Sequence, residues 1–368
     1  PSLRFGHFVG NWEKSKLSSL FKKCLEKNKN GLVDNVICNS AKNGLMPQRD
    51  FFDKDIANTE NTNGYYIIQE NDFVYNPRKS NEAPYGPISM YKYKDKGIVS
   101  PLYLCFRATK EIHPRYFEMY FKSSVWHKYI YFAGDSGARY DRVSIKDDVF
   151  FEMPINIPSL PEQQKIADFL SLVDRRIEKQ RQLVESLKKY KRGALSRIFN
   201  DVLDTVKLSD ISNFISSTRT LSTTLNSNKG TYPVYDAIGI AGYIDHYDID
   251  SDYVTIVKDG SGVGRLQKCD KKSSFIGTLG ALVAKNCTTD FLYAVLQTID
   301  FSKFVTGMAI PHIYYRDYKS TLLPFPSEEK QHFISQLLKK FDIHIENETQ
   351  KLTNILTYKQ GLLQQMFI

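Results

Sequence analysis

The chain has 368 residues, of which 42% are hydrophobic, and a formal net charge of +9 from 50 Lys and Arg against 41 Asp and Glu. That length favours about two or three domains over a single core, and the positive surplus favours a polyanionic partner through phosphate neutralisation. Five scattered cysteines (Cys24, Cys38, Cys105, Cys269, Cys287) without a C-x-x-C pair argue against a disulfide framework or zinc knuckle, and no apolar run nears the roughly 18 residues of a membrane span.

The chain starts at Pro1 with neither an initiator methionine nor the apolar stretch of a signal peptide, as expected of a trimmed or processed soluble product of a reducing bacterial or archaeal cytoplasm. Composition and pattern divide it into a first domain over 1–154, a spacer helix over 155–200, a second domain over 201–322 and a C-terminal spacer helix over 323–368. The fold class expected is mixed α/β (α+β), with short strands and a few helices in each domain and two long antiparallel coiled-coil helices related by a pseudo-twofold.

In the first domain, Lys16-Leu17-Ser18-Ser19-Leu20 opens the fold and Phe73-Val74-Tyr75 reads as a strand running into Asn76-Pro77. Residues 114–128 carry apolar positions at Tyr116, Met119, Tyr120 and Val125 at helical spacing. A polar, glycine-bearing loop follows, Gly134 to Arg142. Pro158 and Pro161 then introduce a long helix whose apolar seam is Ile166, Leu170, Val173, Ile177, Val184 and Leu187, continuing to Ala194 and Ile198. Its other faces are strongly basic, with Arg175, Arg176, Lys179, Arg181, Lys188, Lys189, Lys191, Arg192 and Arg197, a pattern that a solvated helix surface explains for most of these side chains and that also suits the backbone of a nucleic acid.

The second domain starts with Lys207-Leu208-Ser209-Asp210-Ile211, like the first. Tyr253 to Val257 reads as a strand, Asp259-Gly260-Ser261-Gly262 as a turn and Gly264 to Lys268 as the return strand. Residues 290–304 look helical, through Leu292, Val295, Leu296 and Phe301. A second glycine-bearing loop, Gly307 to Arg316, precedes the helix entered through Pro324 and Pro326, with seam residues Ile334, Leu338, Phe341, Ile345, Leu352 and Ile355.

These two helices are copies. Pro158–Phe199 aligns with Pro326–Phe367 without a gap, pairing Gln163 with Gln331, Asp174 with Asp342, Tyr190 with Tyr358, Lys191 with Lys359, Gly193 with Gly361 and Phe199 with Phe367 among other identities. The seam spans roughly 33 residues, about 50 Å at 1.5 Å per residue, long for a helix buried in one globular core. Packed antiparallel, two copies offer two nearly equivalent outer surfaces, and so two identical partners. A polar residue interrupts each seam, Gln180 and Glu348, as register-fixing residues do in coiled coils.

Equal scaffolds with unlike interiors suggest two readers of unlike targets. The residues suited to contacting phosphates or base edges are Lys42, Asn43, Arg49, Arg78, Lys79, Asn81, Tyr85, Arg139, Tyr140 and Arg142 in the first domain. Those in the second are Arg219, Tyr235, Lys258, Ser261, Arg265, His312, Tyr314, Tyr315 and Arg316. Each also fits an ordinary surface loop.

Catalytic patterns are weak. Asn76-Pro77-Arg78-Lys79 lacks the second proline and the aromatic with which an adenine methyltransferase clamps its base. Gly260-x-Gly262-x-Gly264 leads into a strand and so reads as a hairpin turn, with no helix N-terminus for a phosphate. The triplets Asp270-Lys271-Lys272 and Asp317-Tyr318-Lys319 have no partner carboxylate in context, and no H-E-x-x-H or Walker A motif occurs. Neither a catalytic residue nor a metal site is therefore expected.

The sequence resembles the specificity subunits of type I restriction-modification systems. The resemblance rests on Pro158-Ser159-Leu160-Pro161-Glu162-Gln163-Gln164-Lys165-Ile166 with its helix, on the echo Pro324-Phe325-Pro326-Ser327-Glu328-Glu329-Lys330-Gln331, and on the Trp12–Leu20 domain start. The second entry departs from the first, with Glu328 and Glu329 where Leu160 and Pro161 stand. The resemblance implies a subunit of a host-defence DNA-modification complex that catalyses nothing itself. Each variable domain would read half of a bipartite, asymmetric site in double-stranded DNA and bring it to two modification subunits, adenine methyltransferases using S-adenosylmethionine. It leaves open whether restriction subunits, which use ATP and Mg2+, join. A helical spacer sets the separation of two such readers, and one further turn adds about 5.4 Å, or one to two base pairs. The competing readings are a standalone nuclease or methyltransferase with cryptic catalytic residues, and a coiled-coil adaptor that binds no DNA.

Overall fold

The computed structural model describes residues 1–29, 31–51, 62–134, 141–226, 230–307 and 309–367. The chain forms two compact units, Pro1–Gln180 with Lys351–Ile368, and Arg181–Gln350. The division falls inside both long helices. The expected boundaries at 155, 201 and 323 separate helices from domains, whereas compactness groups each domain with one end of each helix.

In chain order the first unit contains β1 (Glu13–Lys16), β2 (Phe21–Lys23), β3 (Ile37–Ser40), β4 (Gly44–Pro47), α1 (Gln48–Phe51), β5 (Tyr66–Ile68), β6 (Phe73–Tyr75), β7 (Ile88–Met90), β8 (Gly97–Val99) and β9 (Leu104–Ala108). It continues through α2 (Pro114–Lys122), α3 (His127–Ala133), α4 (Asp147–Phe151) and β10 (Pro154–Ile157) into the first long helix, α5 (Leu160–Asn200). Next come β11 (Thr205–Lys207), α6 (Leu208–Ile211), β12 (Ser212–Ser216), α7 (Leu221–Asn226), β13 (Tyr232–Tyr235), β14 (Ile240–Ile244), β15 (Tyr253–Val257), β16 (Leu266–Cys269), β17 (Ser274–Phe275) and β18 (Leu279–Ala284). The chain ends with α8 (Thr289–Leu296), α9 (Tyr315–Tyr318), β19 (Leu322–Pro324) and the second long helix, α10 (Glu328–Phe367).

Both domains use one plan. A four-stranded antiparallel sheet has the order β2-β9-β6-β7 in the first and β12-β18-β15-β16 in the second. Every residue of the inner strands β6 and β15 is buried, as a strand covered on both faces requires. A short ladder joins the start of each domain to its end: β1 with β10, and β11 with β19. Leu17 and Leu208, just after those opening strands, are both fully buried. The domain starts thus resemble each other because each must plug the same core.

Two helical expectations change. The stretch 114–128 is not one helix, because Ser123 ends α2: its backbone N–H reaches Met119 O, and its hydroxyl bonds Tyr120 O at 2.6 Å. Trp126 then drops into the core and α3 begins afresh. The stretch 290–304 likewise divides into α8, capped by the Thr288 hydroxyl accepting from Phe291 N at 3.1 Å, and a 3-10 turn over Phe301–Phe304 capped by Asp300. Both strands of the expected hairpin form, with the return starting at Leu266.

The repeat explains its own glutamines. Gln163 Nε2 donates to Pro158 O at 3.0 Å and Gln331 Nε2 to Pro326 O at 2.9 Å, tying the proline-bearing approach to the first helical turn in both copies. In the first copy Gln163 Oε1 also accepts from His113 N at 2.9 Å, which docks the start of α2. Glu162 is nearly fully buried and is satisfied by Arg4 Nε and Nη2 at 2.6 and 2.7 Å and by Trp12 Nε1 at 3.2 Å.

Within the first unit the start of α5 packs with the end of α10: Ile166, Leu170, Leu362, Leu363, Met366 and Phe367 share one core with the domain's aromatics. Within the second unit Leu195 and Phe199 from the end of α5 join Ile334 and Leu338 from the start of α10. The seam residues Ile177 and Val184 are buried; Val173, Leu187, Phe341, Ile345, Leu352 and Ile355 are partly so. The seam is therefore used by the chain itself.

A buried carboxylate fastens α2. Glu118 lies 2.7 Å from Lys92 Nζ and 3.0 Å from Lys122 Nζ and also pairs with Arg115, which reaches across to Asp174 at 3.3 Å. Burial pushes its pKa up, but the surrounding cations win and hold it at about 2, against an ordinary 4.5. A depressed carboxylate contributes stability that is complete above about pH 4.5 and is lost as pH falls towards 2. Glu118→Gln is expected to flatten the stability-versus-pH curve of urea unfolding over that window. Leu170→Ala, which empties a fully buried seam position, should cost about 2–5 kcal/mol, whereas Leu172→Ala on the exposed face should stay within about 0.5 kcal/mol by the same measurement.

Candidate nucleic-acid interface

The two loops that each domain's sequence set apart meet in the fold. In the first domain, the segment leaving β6 is clipped to the segment before α4: Val143 N donates to Pro77 O at 2.9 Å and Lys79 N to Asp141 O at 2.8 Å, so Arg78 and Arg142 stand opposite each other. In the second, Ile313 N donates to Lys258 O at 2.9 Å and Gly260 N to Pro311 O at 2.9 Å, so Asp259 and His312 stand opposite. The backbone clip is the same, residue for residue, and the side chains it presents are different. Close turns make it possible. Gly86 sits at a φ of +82° where a Cβ would lie 2.1 Å from Asn76 O, and Gly307 at +89°, where a Cβ would lie 2.4 Å from Ile310 O.

In the first domain the clip borders a cavity of about 430 Å³ lined by Asn39, Asn76, Arg78, Lys79, Tyr103 and Arg142 among others. The asparagines are committed to the scaffold: Asn39 Nδ2 donates to Val74 O at 2.8 Å and Asn76 Nδ2 to Asn39 O at 3.0 Å. The cations are less committed. Arg78 is exposed with Asp141 3.9 Å away, and the Arg142 Nε is shielded from solvent yet has no hydrogen-bond partner. Two arginines paired across the clip, one of them 3.9 Å from Asp141, suit a polyanion. Lys42 and Asn43 are exposed at the β3–β4 turn, and Asn81 is exposed on the β6–β7 connection. Tyr85 is half-buried against His127, 4.9 Å between ring centroids. Arg49 is exposed on α1, and Arg139 and Tyr140 lie outside the described residues.

In the second domain the clip brings Lys258, Ser261 and Arg265 to the side of His312, Tyr314 and Arg316. Lys258 pairs with Asp259 at 2.8 Å, Ser261 and Arg265 are exposed, and the Arg316 guanidinium covers the Tyr314 ring at 4.8 Å. Arg219 belongs to the same neighbourhood through its carbonyl, which accepts from Gly277 N at 2.7 Å, while its guanidinium reaches Asp248 at 3.2 Å. Tyr315 is stacked flat on Phe214, with centroids 4.4 Å apart, and serves packing. Tyr235 corrects an expectation. It is 5% exposed, its ring lies in the core with Val234 and Phe275, and its hydroxyl sits 3.3 Å from Asp270 Oδ2, so it is no surface reader. Residue type alone does not reveal this, because it is the pairing of β13 with β14 and β17 that places the ring in the core. The Gly260–Gly264 stretch joins two antiparallel strands and is the turn expected.

A sequence profile described as the type I restriction modification DNA specificity domain matches residues 10–189 and 200–357. The chain belongs to this family. Its two matched stretches end inside the two copies of the long helix, so the profile repeats where the chain does.

Among curated relatives of this specificity-domain protein, the specificity subunit of the type I restriction enzyme EcoprrI from Escherichia coli is 26% identical over 114 residues, 30% of this chain and 28% of that protein. A Mycoplasma pneumoniae protein named as a candidate type I specificity subunit is 31% identical over 141 residues, 36% of this chain and 43% of that one. The matched stretches thus span well under half of these relatives. Two solved structures share the fold over nearly the full length. The type I restriction-modification S subunit from M. genitalium has a TM-score of 0.56 at 17% identity, covering 100% of this chain and 99% of that one. A chain from a study of assembly and conformational transition of the type I restriction-modification system has 0.61 at 14%, covering 96% and 97%.

Arg78→Ala and Arg142→Ala tested singly are expected to weaken DNA binding, each lowering the slope of log affinity against log salt by about one where the side chain meets a phosphate. Tyr85→Phe should leave that slope unchanged. Fluorescence-anisotropy titrations at several salt concentrations read both.

Proposed function

We propose that this chain is the DNA-reading subunit of a type I restriction-modification complex: each domain recognises one half of a bipartite, asymmetric site, and the pair of long helices carries two modification subunits. The observation that carries this reading is the clip built twice on one backbone plan with unlike side chains, Arg78 and Arg142 in one domain, Asp259 and His312 in the other. An identical frame keeps two readers in equivalent poses on DNA, and unlike presented groups make the two half-sites differ.

On this reading the chain supplies the address and no catalytic residue. Methyl transfer to adenine from S-adenosylmethionine belongs to the two modification subunits, and ATP- and Mg2+-dependent cleavage to restriction subunits where these join. The reading is supported by family membership and by the full-length likeness in fold to a type I S subunit. Among the described residues no helix is long and apolar enough to cross a membrane.

The deciding experiment is methylome sequencing of cells that express the chain together with an adenine methyltransferase subunit. The expected outcome is adenine methylation at one split motif, both halves changing when the two domains are exchanged for those of another specificity subunit. Methyl transfer or DNA cleavage by the purified chain alone, given DNA, Mg2+ and S-adenosylmethionine, would sink this reading in favour of a standalone enzyme.

A further inference from the structure

The equivalence of the two domains extends to a second hairpin. In the first, β3 and β4 are joined by a turn over Ala41, Lys42 and Asn43, which lies beside the clip because Ala41 lines the same cavity as Asn76 to Ser80. In the second, β13 and β14 are joined by a turn over Asp236 to Gly239, which also lies beside the clip, since Arg265 Nη1 donates to Ala237 O at 3.2 Å. Each hairpin is flanked in parallel on its first strand, by a Val36–Ile98 bridge and by β17 respectively. The two turns hold corresponding places, and their chemistry is opposite: Lys42 and Asn43 at one, Ile238 at the other.

Ile238 is 90% exposed. The turn beneath it is rigid: Asp236 Oδ1 accepts from Ile238 N at 2.7 Å and from Gly239 N at 2.9 Å, and Asp236 N donates to Gly239 O at 2.8 Å. A β-branched side chain on a fixed backbone has few rotamers to lose when something covers it. The surroundings, with Arg265 exposed on the adjoining hairpin and Lys258 beyond it, are those of the surface assigned to DNA.

We propose that Ile238 is a specificity-determining residue of the second domain, packing against the 5-methyl group of a thymine in the major groove; this rests on the DNA-reading function proposed above. The thymine methyl is the one apolar group that base pairs present in that groove, so an isoleucine held out beside an arginine distinguishes an A·T pair where the arginine and backbone contacts cannot. The corresponding turn of the first domain, with Lys42 and Asn43, is suited to hydrogen-bonding a base edge, and the half-sites therefore differ in kind at this position.

The test uses the full chain with its methyltransferase partner and duplexes recovered by selection from a random-sequence pool. Thymines of the recovered site are replaced one at a time by uracil, which removes only the methyl group. Wild type is expected to lose about fourfold in affinity at a single thymine of one half-site, the worth of one buried methyl-sized group. Ile238→Ala should bind the unmodified site more weakly by a similar factor and be indifferent to uracil there, while Ile238→Val keeps the wild-type response; unchanged thermal unfolding checks that both variants fold. The inference is overturned if wild type tolerates uracil at every position, or if Ile238→Ala responds to uracil as wild type does. An Ile238→Ala loss without any uracil response in wild type would instead mark a side chain wedged between base steps. If selection yields no preferred sequence at all, the DNA-reading function itself falls and this inference with it.

Discussion

Two lysine–aspartate pairs set the register on which the rest depends. Asp174 of α5 meets Lys359 of α10 at 2.5 Å in the first unit, and Lys191 of α5 meets Asp342 of α10 at 2.6 Å in the second. The four residues are two positions of one repeat, each used once from either copy. Burial lowers the pKa of Lys359 and Asp174 opposes that shift, so the pair acts as a condition on the packing as much as an attraction. A slip of one helical turn would move each ammonium about 5.4 Å from its carboxylate and leave a charge half-buried without a partner. The apolar seam alone, with leucine and isoleucine repeating along it, tolerates such slips far better.

That register determines what the domains can do. Each domain is plugged onto its helix ends by the same elements: the glutamine that ties the proline approach to the helix, the two-stranded ladder at the domain's base, and the buried leucine after the opening strand. With this frame fixed, the four-stranded sheet delivers its two loops to the same clip in both domains. The side chains at the clip and at the neighbouring hairpin turn then carry little structural duty and are free to differ. Arg78 and Arg142 illustrate the consequence, since like charges placed at opposite positions of a bridge do not serve stability.

Much of this was legible in the sequence. The repeat at constant offset exposed both long helices, and the strand at Tyr253–Val257 and its counterpart at Phe73–Tyr75 stood out by composition. The pairing of each glycine-bearing loop with the segment after that strand was not legible, because a clip made of backbone hydrogen bonds leaves no signature in side-chain identity. Helix ends were lost where a serine competes for backbone carbonyls, at Ser123. Tyr235 and Ile238 both depart from what their residue types suggest: the core takes the tyrosine, and the isoleucine three residues on stands exposed on a turn pinned by Asp236.

The asymmetry of the two clips also bears on electrostatics. In the first domain Arg78, Lys79 and Arg142 line one cavity and Asp141 lies 3.9 Å from Arg78, whereas in the second Lys258 is neutralised by Asp259 and Arg219 by Asp248. Counterion release scales with the number of phosphates neutralised, so on the function proposed above the first domain is suited to draw its affinity from the backbone of the duplex. On the same reading the second domain, with Lys258 and Arg219 already paired and Ile238 exposed, is suited to draw more of it from shape and from base edges. If the chain reads two unlike half-sites, as proposed, it gains from this division: one domain would capture and retain the duplex through charge, and the other would test the sequence without trapping the complex on DNA that merely has phosphates to offer.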